Sequence, residues 1–412
     1  MRNNNSKFPE DLRPSDDREL ELLIHCARAR VEPERAERIR ELAGSGLDWQ
    51  RLSLLAQRNG LSPLLYSHLQ QVAPGLMPVE HWENLRDYFQ KNSAFSLLLT
   101  GELLRLIKSL RESGIEAVPY KGPAIAAKLY GNQALRQYCD LDILIRERDV
   151  WRASELLAAR GYEPHFDIPE KKRAAFVRLS YVQLFRRDAG RMLIELHWAI
   201  APRFFGVPFD IEAMWRRLHT TTLISETIAF PCSEDLLVML CVHGAKDCWE
   251  KLEWVGAVAE LLHDEQSLDW DLVFAQAREL RCRRLLELGL LLAHGLFESP
   301  LPVQVTATRH ADKLTGVAKQ VVERFANTSA WSPSFSERVR FHLGLKDSFT
   351  QQARHCLRLA MTTTPVDWSA LSLPGPLSFA YPLLRAIRLT RKYGLNHERA
   401  RGSQQPRSNH AA

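Results

Sequence analysis

The apolar positions of the first hundred residues recur at helical spacing. In ELELLIHCARARV, Leu20, Leu22, Leu23, Cys26 and Ala27 form a stripe of 3.6-residue period. LDWQRLSLLAQRNG reads as a further helix closed by Gly60, and LSPLLYSHLQQV as another with Pro63 near its start. A long helix is expected from about Val79 to Gly114, while the polar residues 1–16 are expected to be disordered.

The period changes after Gly114. IEAVPY is short and extended, KGPAIAAKLYG is a turn followed by a short helix, and QYCDLDILI is a strand. ERDVWRASELLAARG is an amphipathic helix ending at Gly161. SYVQLFRR and RMLIELHWAI follow as two strands joined by a hairpin-type turn at Asp188-Ala189-Gly190. This β-α-β-α-(β)-β-β order predicts a small mixed sheet with helices on one side.

Beyond Pro202 the chain is expected to be helical again. SEDLLVMLCVHGAKDCWEKLEWVGAVAELLHD opens on Ser233 as an N-cap, and further helices are expected near 270–296, 303–327 and 347–361. The class is therefore α+β. An α/β core at 114–202 is expected between an N-terminal helical region (17–113) and a C-terminal one (203–395). A disordered tail is expected at 396–412.

A chain of 412 residues exceeds one ordinary hydrophobic core. With 45% apolar and 25% charged residues it is an ordinary soluble globular composition. The net charge of +6 suits phosphate handling and equally a merely solvated surface. No basic patch interleaved with aromatics argues for nucleic acid. The seven cysteines include no CxxC pair, so buried thiols in a reducing compartment are expected, and no zinc site. The N-terminus lacks a signal-peptide apolar stretch, and no apolar run reaches the roughly 20 residues that cross a bilayer. The expected location is cytoplasmic; peripheral membrane contact stays open.

The chemistry concentrates in two strands. In DLDILI, alternation puts Asp140 and Asp142 on one face and Leu141, Ile143 and Ile145 on the other. Two such carboxylates need a cation or a shared proton, and Mg²⁺ held by a few carboxylates plus substrate phosphates is the usual answer. The alternative is an acidic strand end in solvent. In IELHW, Glu195 and His197 share a face, and the hairpin can bring Glu195 to the Asp pair as a third carboxylate. Three carboxylates can hold two metal ions, Mg²⁺ or Mn²⁺. The alternative for Glu195 is an ion pair with Arg187 or Arg191. His197 is a core histidine bonded to backbone, an outer group of a metal site, or a proton shuttle.

Lys121 and Gly122 lie at a strand-to-helix turn with Pro123 at the first helical position. Such a turn can present backbone N–H groups and a lysine to phosphate, or simply connect two elements. Arg136 is a phosphate ligand, a partner of one acid, or a surface arginine. His243 and Lys246 share a helix face that can close over a nucleotide, with Trp249 or Trp254 stacking its base; equally, that helix packs its tryptophans as core.

Lys121-Gly122-Pro123-Ala124, Leu129-Tyr130-Gly131, Arg136, Asp140-Leu141-Asp142-Ile143-Leu144, Gly161-Tyr162 and Glu195-Leu196-His197-Trp198 together resemble one family. It is the uncharacterised bacterial nucleotidyltransferase group of the DNA polymerase β-like superfamily. His243-Gly244-Ala245-Lys246, Trp249 and Trp254 resemble its C-terminal helix, and the likeness spans about residues 20–300. It implies transfer of an NMP from an NTP to an acceptor hydroxyl with Mg²⁺ and release of pyrophosphate. Asp140, Asp142 and Glu195 match the metal-binding acids, and Lys121, Gly122, Arg136 and Lys246 would bind nucleotide or phosphate. His197 and His243 would stand behind them. Three departures stand out: the phosphate turn lacks the usual Gly-Ser hydroxyl, the spacing from Gly122 to Asp140 is long, and Ala257 sits where an acid is expected. A catalytically inactive scaffold that binds a nucleotide or a protein is the alternative. The acceptor, base preference and oligomeric state are not readable from the sequence.

Overall fold

The computed structural model describes residues 12–362 except 15, 265–267, 307–310, 330–331 and 347. The expectations for the tail at 396–412, for residues 1–11 and for helix between 363 and 395 lie outside the described residues.

Five helices come first: α1 (Arg18–Cys26), α2 (Pro33–Ala43), α3 (Trp49–Arg58), α4 (Ser62–Val72) and α5 (Val79–Glu112). The Asp17 carboxylate caps α1 by accepting from the Leu20 amide, and the leucines of its stripe are fully buried. The core follows as β1 (Ala117–Pro119), α6 (Pro123–Tyr130), β2 (Asp140–Ile145), α7 (Val150–Ala159), β3 (Glu163–Pro164), α8 (Arg173–Leu179), β4 (Val182–Arg187) and β5 (Met192–His197). Sheet order is β1-β2-β5-β4-β3. β2 runs parallel to β5 and antiparallel to β1, and β4 runs antiparallel to both β5 and β3. The expected hairpin is present, turned through left-handed backbone at Asp188, Ala189 and Gly190.

The inner strand β2 is covered on both faces, which is why Leu141 through Ile145 are all buried. One face carries Gln183 and Trp198 against the crossover helices: Ser154 of α7 donates to Gln183 at 3.2 Å, and Trp198 Nε1 donates to the Val177 carbonyl of α8 at 2.9 Å. The other face carries Asp142, Glu195 and His197.

The chain after Pro202 differs from the all-helical expectation. A short α9 (Ile211–Arg216) precedes an antiparallel hairpin of β6 (His219–Leu223) and β7 (Glu226–Phe230). Threonines favour the extended backbone there, while Leu223, Ile228 and Phe230 supply a buried face. Helices then resume with α10 (Ser233–Lys246), α11 (Leu252–Asp264), α12 (Trp270–Glu279), α13 (Arg283–Phe297), α14 (Val303–Thr306), α15 (Ala311–Phe325), α16 (Phe335–Gly344) and α17 (Phe349–Met361). The segment expected as one helix from Ser233 is two, and the N-cap position belongs to Cys232, with Ser233 already inside α10.

The two helical regions pack on each other behind the sheet. Asn59, at the end of α3, accepts from the Leu252 and Glu253 amides at the start of α11. Buried Arg28 pairs with Glu260 of the same helix. One buried apolar cluster continues from Leu20 through Leu141 and Ile194 to Leu291. Among the described residues, no helix is long and apolar enough to cross a membrane.

Candidate metal and nucleotide site

The parallel pairing of β2 and β5 sets Asp142 directly opposite Glu195, and Leu144 opposite His197. This register joins two carboxylates 53 positions apart in the chain. His197 Nε2 lies 3.0 Å from Asp142 Oδ1 and 3.0 Å from Glu195 Oε2. Its ring is held edge-on against Tyr120 at 5.2 Å between centroids, with Tyr181 at 5.8 Å. His197 thus bonds to two acids and not to backbone. Arg187 pairs with Glu102 at 3.0 Å rather than with Glu195.

Lys121 completes the cluster. Its Nζ donates to Asp142 Oδ1 at 2.8 Å. Burial alone would push the Asp142 carboxyl up, but the Lys121 ammonium and the His197 hydrogen bond outweigh it and hold the group well below its ordinary range. For Glu195, burial is likewise outweighed by the His197 hydrogen bond, and its carboxyl is lowered. Burial also works against the Lys121 charge, and the Asp142 carboxylate overrides it. Asp140, at the start of β2, is pushed in the opposite direction: burial raises it first, and repulsion from Asp142 and Glu195 adds to that.

Gly122 has φ 56° and ψ −128°, a conformation that side-chain-bearing residues rarely adopt, and a Cβ there would sit 3.4 Å from the Asp140 carbonyl oxygen. It lets the turn after β1 pass close to the strand that carries both aspartates. Pro123 then occupies the first position of α6, where its missing N–H costs nothing.

A cavity of about 180 Å³ lies between this turn and helices α10 and α11. Lys121, Gly122, Arg136, Asp140, Asp142 and His243 line it, so six of the nine residues singled out by sequence meet there. His243 is driven strongly toward its neutral form by burial and by the positive charges of Lys121 and Lys246. Lys246 stands to one side: its Nζ is 3.4 Å from the Tyr181 hydroxyl and 3.3 Å from Asp247. Tyr181 and Asp247 keep it charged against the opposing effect of burial.

The cavity also contains an acid that the sequence did not flag. Glu253 of α11 is 4% exposed and its Oε2 lies 3.9 Å from Arg136 Nη2. Arg136 therefore faces this acid rather than Asp140 or Asp142. Burial raises the Glu253 carboxyl, with Arg136 opposing. Glu253 stands one helical turn before Ala257, and both line the cavity, so an acid does reach the site from this helix. Trp254 lines it as well, its ring 4.8 Å from His243. Trp249 does not: it is fully buried beneath Gly244 and Gly289, where added methyl groups would collide with its ring, and it cannot stack a base.

Ligand atoms of Asp142, Glu195 and His197 all lie within 4.8 Å of one another, close enough to share one cation. The two carboxylates suit a hard ion such as Mg²⁺ or Mn²⁺; Asp140, on the same face of β2, is not part of this group. In the absence of an ion, His197 Nε2 bonds both acids and holds them toward one another.

A family model described as an uncharacterised nucleotidyltransferase matches residues 45–298, more than half of the chain. Nothing among curated proteins or solved structures matches it.

Proposed function

The chain belongs to this nucleotidyltransferase family, and from that premise we propose that it moves a nucleoside monophosphate from an NTP to an acceptor hydroxyl and releases pyrophosphate. The observation that carries the reading is the pairing of Asp142 with Glu195 across β2 and β5, under Lys121 and beside the Gly122 turn.

Asp140, Asp142 and Glu195 would hold Mg²⁺, with Mn²⁺ as the other ion the donors admit. Bound there, the metal would lower the pKa of the attacking hydroxyl and neutralise charge on the triphosphate. The chain's own residues supply position and charge. Gly122 lets the phosphates approach the backbone at the head of α6, and Lys121 is suited to move from Asp142 onto a phosphate oxygen. His197 fixes the Asp142 and Glu195 carboxylates, so that they need not reorganise during reaction. The helices α10 and α11 close the cavity and exclude water on the side opposite the sheet. The acceptor hydroxyl gives up its proton to water as its oxygen bonds to the α-phosphorus, the bond from that phosphorus to the oxygen bridging the β-phosphate breaks, and pyrophosphate carries the negative charge away.

A second reading, an inactive scaffold that binds a nucleotide or protein, is favoured by two observations. The Lys121 ammonium already neutralises Asp142, and the phosphate turn offers no hydroxyl. The two readings separate in a label-transfer experiment with [α-³²P]NTP, Mg²⁺ and a panel of hydroxyl-bearing acceptors. Transfer of label with stoichiometric pyrophosphate supports the enzyme. Bound NTP with no transfer to any acceptor supports the scaffold.

A further inference from the structure

A second cavity, about 560 Å³ in volume, opens beyond the end of β5. We propose that it takes a ligand carrying a phosphate or carboxylate group on an apolar body. This site does not depend on the nucleotidyl-transfer reading above.

This cavity is separate from the one at Lys121 and Gly122, and its volume lies within the range of roughly 300–1,000 Å³ usual for a small-molecule site. None of Lys121, Asp140, Asp142, Glu195 or His197 lines it. Tyr181 stands at its wall: its ring is 5.8 Å from His197, and its hydroxyl is 3.4 Å from Lys246 Nζ.

The charge of this cavity is one-sided. Arg203, Arg281 and Arg358 line it, against the single acid Glu147. Among the described residues none of the three guanidinium groups pairs with a carboxylate. Arginines gathered elsewhere in the chain do: Arg28, Arg51, Arg187 and Arg217 all hold one. The three reach the cavity from separate elements, after β5, between α12 and α13, and from α17. Arg281 adopts left-handed φ 54° at the α12–α13 turn. Gly206, at φ 83°, leaves open the space where a Cβ would meet Arg358 Nη1 at 2.9 Å. All three are solvent-exposed, and unpaired arginine forks lining one space suit phosphate or carboxylate oxygens. Val207, Phe209 and Ile211 give the same cavity an apolar wall.

The test uses the full chain freed of metal and two probes, phenyl phosphate and benzoate, titrated by calorimetry. Binding of phenyl phosphate that weakens at least tenfold in Arg281→Ala/Arg358→Ala, with the affinity for a Mg²⁺-bound non-hydrolysable ATP analogue changed less than twofold, supports the proposal. Arg281→Lys/Arg358→Lys keeps the charge and should retain part of the phenyl phosphate affinity, which separates loss of the site from loss of the fold. The benzoate arm shows which anion the pocket prefers. Absence of binding by either probe, unaltered binding in the alanine variant, or displacement of phenyl phosphate by the ATP analogue overturns it. A chain that binds phenyl phosphate through these arginines but no Mg²⁺-ATP analogue keeps the anion site and removes the nucleotidyl-transfer reading.

Discussion

Asp142 and Glu195 face one another across a parallel strand pair, and a single nitrogen, His197 Nε2, stands 3.0 Å from a carboxylate oxygen of each. Without that donor, the two acids repel one another and each loses a hydrogen bond. His197→Ala is therefore expected to cost about 1–3 kcal/mol of stability, the usual penalty for orphaning buried polar groups. Thermal unfolding measured without metal checks this. Added Mg²⁺ should recover more of the melting temperature in the variant than in the wild type. An unchanged melting temperature would show that the imidazole does not hold the acids.

Lys121 has two opposed effects. Its ammonium competes with a cation for Asp142, yet it is placed to meet a phosphate. Lys121→Met should raise Mg²⁺ affinity in the absence of nucleotide and lower NTP affinity in its presence, each by about tenfold, or ~1.4 kcal/mol. Calorimetric titration of Mg²⁺ and then of a non-hydrolysable NTP reads both. A fall in both affinities would contradict the competition.

Gly122 is held at φ 56°, against the strand that carries Asp140. Gly122→Ala should cost about 1–3 kcal/mol of stability, the range for a strained backbone conformation. Urea unfolding measures it. A cost near zero would mean that the turn relaxes without Gly.

Two histidines remote from the site set an acid limit. His342 is 2% exposed, and its Nε2 donates to the Lys246 carbonyl at 3.0 Å. Burial is the main reason His342 is lowered to about 3, and the same cause lowers His355 to about 4. In the unfolded chain both titrate near 6.5. Their neutral forms therefore contribute full stability above about pH 6.5, and it is lost as pH falls from there toward 4 because the unfolded state takes up protons first. The slope is about 1.4 kcal/mol per pH unit for each histidine. Melting temperature followed from pH 7.5 to 4.5 should fall less steeply in His342→Gln than in the wild type. Equal slopes would contradict the assignment.

Much of this site is legible in the sequence because period-2 alternation places acids on an otherwise apolar strand. Asp140, Asp142, Glu195 and His197 could be assigned to faces from DLDILI and IELHW alone. What alternation does not encode is which strands become neighbours, and it is the parallel register that turns Asp142 and Glu195 into a pair. Glu253 escaped notice because one acid on a long helix reads as a solvated position; only packing of α11 against Asn59 and Gly60 buries it. For Trp249 the sequence leaves both base stacking and core packing open, since the glycines that make room for it, Gly244 and Gly289, are distant in sequence from one another. The β6–β7 hairpin was missed because its threonines weaken the apolar pattern that marks a strand, while backbone preference and three buried residues suffice to form it.

The central claim is that the face carrying Asp140, Asp142 and Glu195 binds metal and NTP. Titration of wild type and Asp140→Ala/Asp142→Ala with Mg²⁺ and a non-hydrolysable NTP tests it most directly. The account predicts metal-dependent binding by the wild type and its loss in the double variant, which should remain folded by circular dichroism. A double variant that binds the Mg²⁺–NTP complex as tightly as the wild type would contradict it.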